Sequence, residues 1–525
     1  MKKHEICLLD CTLRDGGYIN DWEWGYESAR DIIYSLVKAG IEVIEVGFLR
    51  NIKKYDPNIT VGNTIEELNS LLPTNDDSVM FSAMAMQSNY DVGKLSNYSG
   101  KGIEMIRVTA HSYDLDDGIR FAQTVIAKGY KVSFNPINIM GYSDSELMDI
   151  FSKVNRIRPY QFSIVDTFGS MKKKDFERIS RLADNNLNSE IRLGLHLHEN
   201  MSLSCCLSQD YINMHLRRPI IIDGSLLGMG RTPGNLPIEL IADFLNEAEY
   251  KSYDIDYLLD AIQDYIKKYK KESKWGYSAE FFISARFNIH RNYAEYLLKK
   301  GDLTCKDINH ILAKVDKSKA SVFDSEYVDK LYKDYKENII DDTVAFEALK
   351  NLLSGKKVLI IAPGSSINEY RKKIISFIKR EEPFVISLNF WTGEFDIDIA
   401  FFSNKKRLYY FENTKIKKIV TSNLAPLSGD YVINYNRLVG DFSLGVNSLI
   451  YLLRLLKSLD ITKLYIAGAD GYGKEKGDYY NEKYKSVIER NEQYNKNVAE
   501  ALRKIGLTQI FITPSAYDEK QNLYV

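Results

Sequence analysis

Two histidines separated by a single residue are the strongest chemical signal in this sequence. His196 and His198 lie in the apolar segment LGLHLHEN, and alternate residues of a β-strand project to the same face. Asp15 in CTLRDGG and Asn235 in DGSLLGMGRTPGN each follow another predicted strand. Two imidazoles, one carboxylate and one amide oxygen suit Mn²⁺ or Mg²⁺, with Co²⁺ and Zn²⁺ as alternatives. The pattern therefore predicts an open divalent-metal site.

The elements that would bring these residues together are short apolar runs that recur with helical segments between them. Alternation of this kind predicts parallel β-strands joined by α-helices. Eight such units within residues 1–236 predict a closed (β/α)₈ TIM barrel, with an open doubly wound sheet as the alternative. In a closed barrel the first, seventh and eighth strands adjoin, so the four candidate ligands would meet at one mouth. The predicted strands are Ile6–Leu9, Val43–Val46, Val79–Ala83, Met105–Val108, Val132–Phe134, Phe162–Val165, Ile191–Leu195 and Ile220–Ile222.

The rest of the chain divides into two further predicted regions, which gives an α/β protein overall. Residues 237–354 carry apolar residues at helical spacing and predict a helical extension and connector. Residues 355–525 alternate strands and helices, among them a helix at Val446–Leu459, and predict a Rossmann-like α/β domain. A length of 525 residues also favours several domains over one core.

Composition excludes several classes of function. The 70 Lys and Arg balance 71 Asp and Glu, which argues against a nucleic-acid or anionic-membrane surface. Five cysteines without CxxC spacing indicate neither a zinc knuckle nor a disulfide framework. We therefore expect a cytoplasmic protein with no membrane span, acting on small molecules and forming a homo-oligomer.

The motifs at the predicted strand ends resemble those of the DRE-TIM metallolyases. This barrel family includes 4-hydroxy-2-oxovalerate aldolase, hydroxymethylglutaryl-CoA lyase and isopropylmalate synthase. The resemblance covers about the first 285 residues and rests on LLDCTLRDGG, IEVIEVGF, IVDTFGSM, GLHLHEN and DGSLLGMGRTPGNLPIE. It implies that Asp15, His196 and His198 ligate the metal, that Asn235 is an outer or fourth ligand, and that Arg14 faces an enolate oxygen.

The sequence departs from the oxovalerate aldolases at the acid–base position. Where those enzymes have a serine and a histidine after the first motif, this chain has Gly17 and Tyr18. A downstream catalytic tyrosine of the subfamily coincides with Phe281 on a rough alignment, and Tyr277 lies one helical turn away. We expect Tyr18 to carry the proton, with a packed lid residue as the alternative reading and Tyr277 as a further candidate that would contact substrate.

Other polar residues also fall at predicted strand ends. Glu45 is predicted either to act in catalysis or to hold Arg14 in place. Asp166 and Thr167 are predicted to contact substrate, and His111 and Asp223 to support the site.

In the last region, the strand–turn IIAPGSS places Gly364 and Ser365 where backbone amides and hydroxyls could meet a phosphate. The stretches ISLNF, IAFFSN, FSLGVNSLIYLL and LYIAGADGYG resemble the CMP-sugar-binding core of bacterial sialyltransferases. That resemblance implies nucleotide binding by Gly364, Ser365, Asn389, Asn404, Asp470 and Tyr472. No histidine follows His310, so the histidine base of those transferases is missing.

These observations predict a metal-dependent aldolase or lyase that makes or breaks a carbon–carbon bond through a stabilised enolate of an α-keto acid such as pyruvate. Its partner would be an aldehyde, and the reacting group could sit on a nucleotide-linked sugar. A Claisen-type acyltransferase using acetyl-CoA, an Fe(II) oxygenase and a non-catalytic scaffold with a degenerate site remain alternatives.

Overall fold

The computed structural model describes residues 5–73, 79–231, 233–273, 275–301, 303–337, 340–411, 414–424, 429–439, 447–472, 479–480 and 492–518. The chain divides into two compact units, Met1–Lys299 with Leu303–Val328, and Lys300–Asp302 with Asp329–Val525. Each unit contains one β-sheet, and every strand pairing within the two sheets is parallel. Among the described helices, none combines the length and apolar character that crossing a bilayer requires.

The first unit is built on eight parallel strands that close into a barrel. Neighbouring strands pair in sequence order, and pairing of β1 with both β2 and β8 closes the ring. The short strand Val61–Gly62 pairs with β2 outside this ring. The predicted (β/α)₈ barrel is therefore confirmed. Its strands are β1 Ile6–Asp10, β2 Val43–Leu49, β3 Met80–Met86, β4 Ile103–Ala110, β5 Lys131–Pro136, β6 Gln161–Asp166, β7 Arg192–Leu197 and β8 Ile220–Gly224.

Helices cover the outside of the barrel and explain why its strands read as nearly continuous apolar runs. All residues of β2 and β8 are buried, as expected for parallel strands enclosed on both faces. Each main helix buries one stripe; α7, for example, buries Phe176, Ile179 and Ala183. The helices are α1 Thr12–Asp15, α2 Gly17–Asn20, α3 Tyr26–Ala39, α4 Ile65–Asn69, α5 Leu115–Ala127, α6 Asp144–Ile157, α7 Lys173–Asn186, α8 Ser204–Asn213 and α9 Ile238–Glu247.

The segment after the barrel is helical where it is described. α10 packs against α3 and continues through the π-helical turn Ile262–Ile266 into α11. The structure divides this segment, predicted as one connector, between the two units. The helices are α10 Ile255–Ala261, α11 Lys267–Glu272, α12 Ala279–Arg286, α13 Asn292–Lys299, α14 Cys305–Leu312, α15 Ser325–Glu337 and α16 Thr343–Leu353.

The second unit contains a parallel sheet of seven strands, numbered β9 to β15 along the chain. Their order in the sheet is β13-β12-β11-β10-β9-β14-β15. The strands are β9 Val358–Ile361, β10 Phe384–Leu388, β11 Ile399–Phe402, β12 Lys418–Thr421, β13 Tyr431–Ile433, β14 Lys463–Ala467 and β15 Thr508–Phe511. The strand order reverses at β9, the place where open α/β sheets commonly bind ligands. The α/β class is thus confirmed.

Six described helices follow β9 in this unit: α17 Ser366–Glu369, α18 Arg371–Glu381, α19 Lys405–Phe411, α20 Asn436–Val439, α21 Ser448–Ser458 and α22 Glu492–Lys504. The helix predicted at Val446–Leu459 corresponds to α21, and Val446 itself lies outside the described residues. The edge strand β13 was not predicted, because only three residues form it and two of them are half-buried.

Candidate metal centre at the barrel mouth

Three candidate ligands converge where β1 and β7 end. Asp15 closes the single-turn helix α1 after β1, His196 lies in β7, and His198 follows that strand. One ligand atom from each residue lies within 4.8 Å of the other two. His196 Nε2 is 3.9 Å from Asp15 Oδ2, and the two imidazole ring centres are 5.1 Å apart. The spacing leaves room for one ion between them.

Hydrogen bonds fix the orientation of both imidazoles. His196 Nδ1 lies 3.1 Å from Asp223 Oδ2, and His198 Nδ1 lies 3.1 Å from the carbonyl oxygen of Gly234. Both partners are acceptors, so each Nδ1 donates and each Nε2 is the ring nitrogen left to bind a metal. Burial, reinforced by His196, lowers the pKa of His198 to about 3. Neutral imidazoles held from behind by an acceptor are the usual form of metal-ligating histidine.

Two buried oxygens support the presence of a cation. Asp15 Oδ2 and Asn235 Oδ1 are both buried and accept no hydrogen bond from the described residues. The amide nitrogen of Asn235 donates to the Met229 carbonyl oxygen at 3.3 Å, which leaves the Oδ1 atom as an acceptor. Buried oxygens without a donor are costly unless a ligand or ion satisfies them. The donor set therefore fits a hard or borderline divalent metal.

Behind the candidate ligands lies a buried network of charges. Arg14 Nη1 donates to Asp15 Oδ1 at 2.6 Å, and Arg14 Nε donates to Glu45 Oε2 at 2.8 Å. Arg107 Nη1 donates to the same Glu45 oxygen at 2.9 Å, and Arg107 Nη2 bonds Asp223 Oδ2. Each of these five side chains is 6% exposed or less. The network links Asp15 to the carboxylate that orients His196.

The balance of charge in this network favours an added cation. Two guanidiniums face the three carboxylates of Asp15, Glu45 and Asp223, which leaves one negative charge among the five. Burial raises the pKa of the Asp15 carboxyl, but Arg14, His198 and His196 outweigh it and hold that pKa below its usual value. Asp15 is therefore ionised, as a ligand must be.

Tyr18 lies on α2, which follows the helix that carries Asp15, and 39% of its surface is exposed. Its ring meets Trp22 edge-on at 4.9 Å, and the guanidinium carbon of Arg231 is 5.6 Å from the ring centre. A half-exposed phenol next to a cation can reach a substrate, so the position is compatible with a proton carrier and with a lid residue.

The remaining predicted residues of the barrel have different surroundings. Asp166 accepts from the backbone amides of Ser170 at 2.9 Å and Met171 at 3.0 Å, so it closes the turn after β6. Burial raises the pKa of Asp166 to about 6. Thr167 accepts from the Asn138 amide at 2.7 Å and lines a cleft that also reaches His198.

The candidate Tyr277, and Phe281 at the position of the subfamily's tyrosine, lie after the barrel strands. Tyr277 precedes α12 and is 60% exposed. Phe281 lies in the first turn of that helix, and its carbonyl oxygen accepts from Asn200 at 3.2 Å. His111 follows β4, with its ring stacked on Tyr113 at 4.8 Å. Among the described residues, His111 does not belong to the group formed by Asp15, His196 and His198.

In the second unit the structure brings part of the predicted nucleotide site together. Asp470, after β14, accepts from the Ser366 amide at 2.8 Å and the Ser365 hydroxyl at 3.3 Å. A side chain at Gly364 would collide with the same carboxylate. The donors of this turn thus face an anion of the protein itself, which would repel a phosphate placed there.

The other three predicted residues of that unit are spread around it. Asn389 follows β10 and donates to the Ser448 hydroxyl at 2.5 Å. Asn404 is exposed and accepts from the Arg407 amide at 3.3 Å, at the start of α19. The Tyr472 amide donates to Asn495 Oδ1 at 3.0 Å.

Four residues at or beneath the barrel mouth were not predicted from the sequence. Arg107 stands inside the apolar strand IEMIRVTA, and a charge in such a run was the available signal. Arg231, His290 and Arg291 line the same cleft as Thr167 and His198. The last two come from the helical segment after the barrel, where no pattern indicated an approach to the mouth.

Comparisons with known proteins find sequences similar to that of the barrel. The model of the HMGL-like family matches residues 81–264, a range that includes His196, His198 and Asn235. A 4-hydroxy-2-oxovalerate aldolase from Marinomonas sp. (strain MWYL1) is 26% identical over 275 residues, or 51% of this chain and 78% of that protein. An oxaloacetate decarboxylase from Mycobacterium tuberculosis (strain ATCC 25618 / H37Rv) is 23% identical over 267 residues, or 49% and 75%.

Among solved structures, the hydroxymethylglutaryl-CoA lyase from Pseudomonas aeruginosa aligns with 50% of this chain and 91% of its own, at 18% identity and a TM-score of 0.41. The resemblance of the barrel to the DRE-TIM metallolyases, predicted from its motifs, is confirmed by the HMGL-like match and the aldolase relatives.

Proposed function

We propose that the barrel is a divalent-metal-dependent aldolase or lyase that forms or breaks a carbon–carbon bond beside the carbonyl of an α-keto acid such as pyruvate. The observation that carries this proposal is the convergence of Asp15, His196 and His198 within 4.8 Å, next to a guanidinium fixed by two ion pairs. Support also comes from the aldolases among the relatives, whose sequences align with about half of this chain.

The overall reaction transfers protons and makes one bond without a change of oxidation state. In the synthetic direction a proton leaves the methyl carbon of the keto acid, and that carbon then bonds to the aldehyde carbon. The aldehyde oxygen becomes an alkoxide and takes up a proton; cleavage is the reverse. A cation held by Asp15, His196 and His198, with Asn235 as a further oxygen ligand, supplies Lewis-acid polarisation of the keto acid.

Arg14 is the group we assign to the enolate oxygen. Two of its three nitrogens donate hydrogen bonds, Nη1 to Asp15 and Nε to Glu45. The third, Nη2, donates to none of the described residues. A donor preorganised in this way stabilises charge that develops in the transition state. Glu45 is buried and shared between two guanidiniums, so we assign it as a positioning residue that holds Arg14.

Tyr18 is the proton carrier in this proposal, and replacing it by Phe tests the assignment. The change removes one hydroxyl, and general acid–base groups commonly contribute about 10²–10⁴ in rate. We expect turnover to fall within that range while bound metal stays constant, measured by steady-state kinetics and elemental analysis. Tyr34→Phe is the matched control, because that phenol lies on α3 and is 52% exposed, and we expect it to act like wild type. A loss below about threefold in Tyr18→Phe would exclude Tyr18 as the acid–base group.

Deuterium exchange into the methyl group of pyruvate tests the function without knowledge of the aldehyde. We expect the full-length protein to catalyse exchange, followed by NMR, when Mn²⁺ or Mg²⁺ is added, and a chelator to abolish it. A Claisen acyltransferase would enolise acetyl-CoA instead, so acetyl-CoA is tested in parallel. Protein that binds metal at the predicted ligands yet exchanges neither compound would contradict the proposal.

A further inference from the structure

We propose that Arg50 binds the carboxylate of the α-keto acid and so selects keto acids over neutral ketones at the barrel mouth. This inference rests on the proposed function and deepens it by adding a residue that recognises the substrate. Arg50 directly follows β2, which pairs with β1, and Arg14 and Asp15 follow β1. Its backbone therefore lies beside that of the group we assign to the enolate, at the end of the barrel where active sites form.

Two aromatic rings hold the guanidinium of Arg50. Its Cζ atom lies 4.0 Å from the ring centre of Phe48 and 4.4 Å from that of Trp22. The Cζ atom of Arg14 lies over the same Phe48 ring, at 5.9 Å. A guanidinium stacked on a ring keeps the N–H groups at its edge for planar oxyanions. Arg50 is thus preorganised, and it shares a ring with Arg14.

Arg50 has no anionic partner among the described residues. Its Nε atom is buried and donates no hydrogen bond there. Burial lowers the pKa of the guanidinium, Tyr18 raises it and Arg14 lowers it further, and no carboxylate offsets the burial. The residue as a whole is half-buried, so a ligand from solvent can reach it. A partly buried positive charge without a counterion favours an anionic ligand.

The position of Trp22 depends on a residue at which this chain departs from the oxovalerate aldolases. A Cβ atom at Gly17 would lie 2.1 Å from Cδ1 of the Trp22 ring, so the serine of those enzymes would collide with the indole. The indole N–H donates to the Arg14 carbonyl oxygen at 2.7 Å. Trp22 also has a left-handed backbone, with φ of 62°, a costly conformation that is concentrated at ligand sites. Gly17 therefore makes room for the ring that holds Arg50.

A guanidinium at this place gives the two ends of the enolate separate partners. Enolisation puts a second negative charge on the keto acid, at the keto oxygen next to the carboxylate. We assign Arg14 Nη2 to that oxygen, and the planar fork of Arg50 matches the geometry of a carboxylate. Because Phe48 contacts both guanidiniums, they fit the two oxyanions of one small molecule.

Pyruvate and pyruvamide form a matched pair that tests the role of Arg50. Both have the methyl group and the keto carbonyl, but pyruvamide is neutral. In the full-length, metal-loaded protein we expect Arg50→Met to lower kcat/KM for deuterium exchange into pyruvate by about 10–100-fold, the effect of one to two charge-assisted hydrogen bonds. The loss should come mainly from KM, and exchange into pyruvamide should change much less. An unchanged ratio between the two substrates would overturn the inference.

Oxalate provides a readout that needs no turnover, because it has two carboxylates and no methyl group to exchange. We expect isothermal titration of the Mn²⁺-loaded protein to give a dissociation constant about tenfold or more higher in Arg50→Met than in the wild type. Arg50→Gln, which also lacks the charge, should give the same result. Bound metal, measured by elemental analysis, should be equal in all three proteins. Equal oxalate affinity, or a lower metal content in both variants, would overturn the inference.

Arg30→Met is the matched control, because Arg30 is exposed on α3 and its Cζ atom also lies over a ring, 5.4 Å from the centre of Tyr26. It should keep the wild-type substrate ratio and oxalate affinity. Absent exchange in the wild type would reject the aldolase assignment, whereas the oxalate titration would still decide whether Arg50 binds a carboxylate. Exchange in the wild type with an unchanged ratio in both Arg50 variants would reject the role of Arg50 alone.

Discussion

A His196→Ala variant is expected to bind divalent metal at least about tenfold more weakly and to lose pyruvate enolisation by about 10³-fold or more. His196 contributes one of the two imidazoles, and its Nε2 lies 3.9 Å from Asp15 Oδ2. Removing it leaves one imidazole, one carboxylate and the amide oxygen of Asn235, a weaker set of ligands for the ion. The barrel should stay folded, because the residue lies at the end of β7 and not within an apolar core layer.

Metal content after dialysis, measured by elemental analysis, and circular dichroism check this expectation together. His310→Ala is the matched control, since His310 is exposed on α14, and it should bind metal as the wild type does. Unchanged metal content in His196→Ala would contradict the assignment of the centre, whatever its effect on activity.

The candidate ligands could be predicted from the sequence because each of them lies near the end of, or after, a strand that is apolar enough to recognise. The order of strands in a closed barrel then makes distant positions neighbours, as β1 and β8 are here. The pairings that lie beneath these ligands could not be predicted in the same way. Arg107 and Asp223 are 116 positions apart, and each lies inside an apolar run where a single charge resembles an interruption.

The same limit applies to loops that return from distant segments. His290 and Arg291 reach the mouth from a segment whose helical spacing indicates only that helices form there. In the second unit, the small-residue turn at Gly364 looks suited to phosphate when only its own sequence is considered. The carboxylate that meets this turn belongs to Asp470, which lies 105 positions after Ser365 in the chain. Local patterns predict elements, whereas the partners of buried charges depend on tertiary packing.

The same buried charges make Arg107 the residue whose loss should cost the barrel the most stability. Arg107 is 1% exposed and bonds both Glu45 and Asp223, which are fully buried. In Arg107→Met two buried carboxylates would have one cation fewer between them. Breaking a buried ion pair on one side commonly costs about 3–5 kcal/mol, and we expect the free energy of unfolding of the barrel to fall by that amount. Activity should fall as well, because Glu45 positions Arg14.

Urea unfolding followed by tryptophan fluorescence measures this change mainly in the barrel, because Trp22, Trp24 and Trp275 belong to the first unit and only Trp391 to the second. Arg120→Met removes an exposed ion pair with Asp117 and should leave the transition unchanged. Adding Asp223→Asn to Arg107→Met neutralises one stranded carboxylate, so stability should partly return while activity does not. Unfolding of Arg107→Met at the wild-type urea concentration would show that Arg107 does not stabilise the barrel through its ion pairs. A further loss of stability on adding Asp223→Asn would show that unpaired buried charge is not the cause, and would leave packing as the role of Arg107.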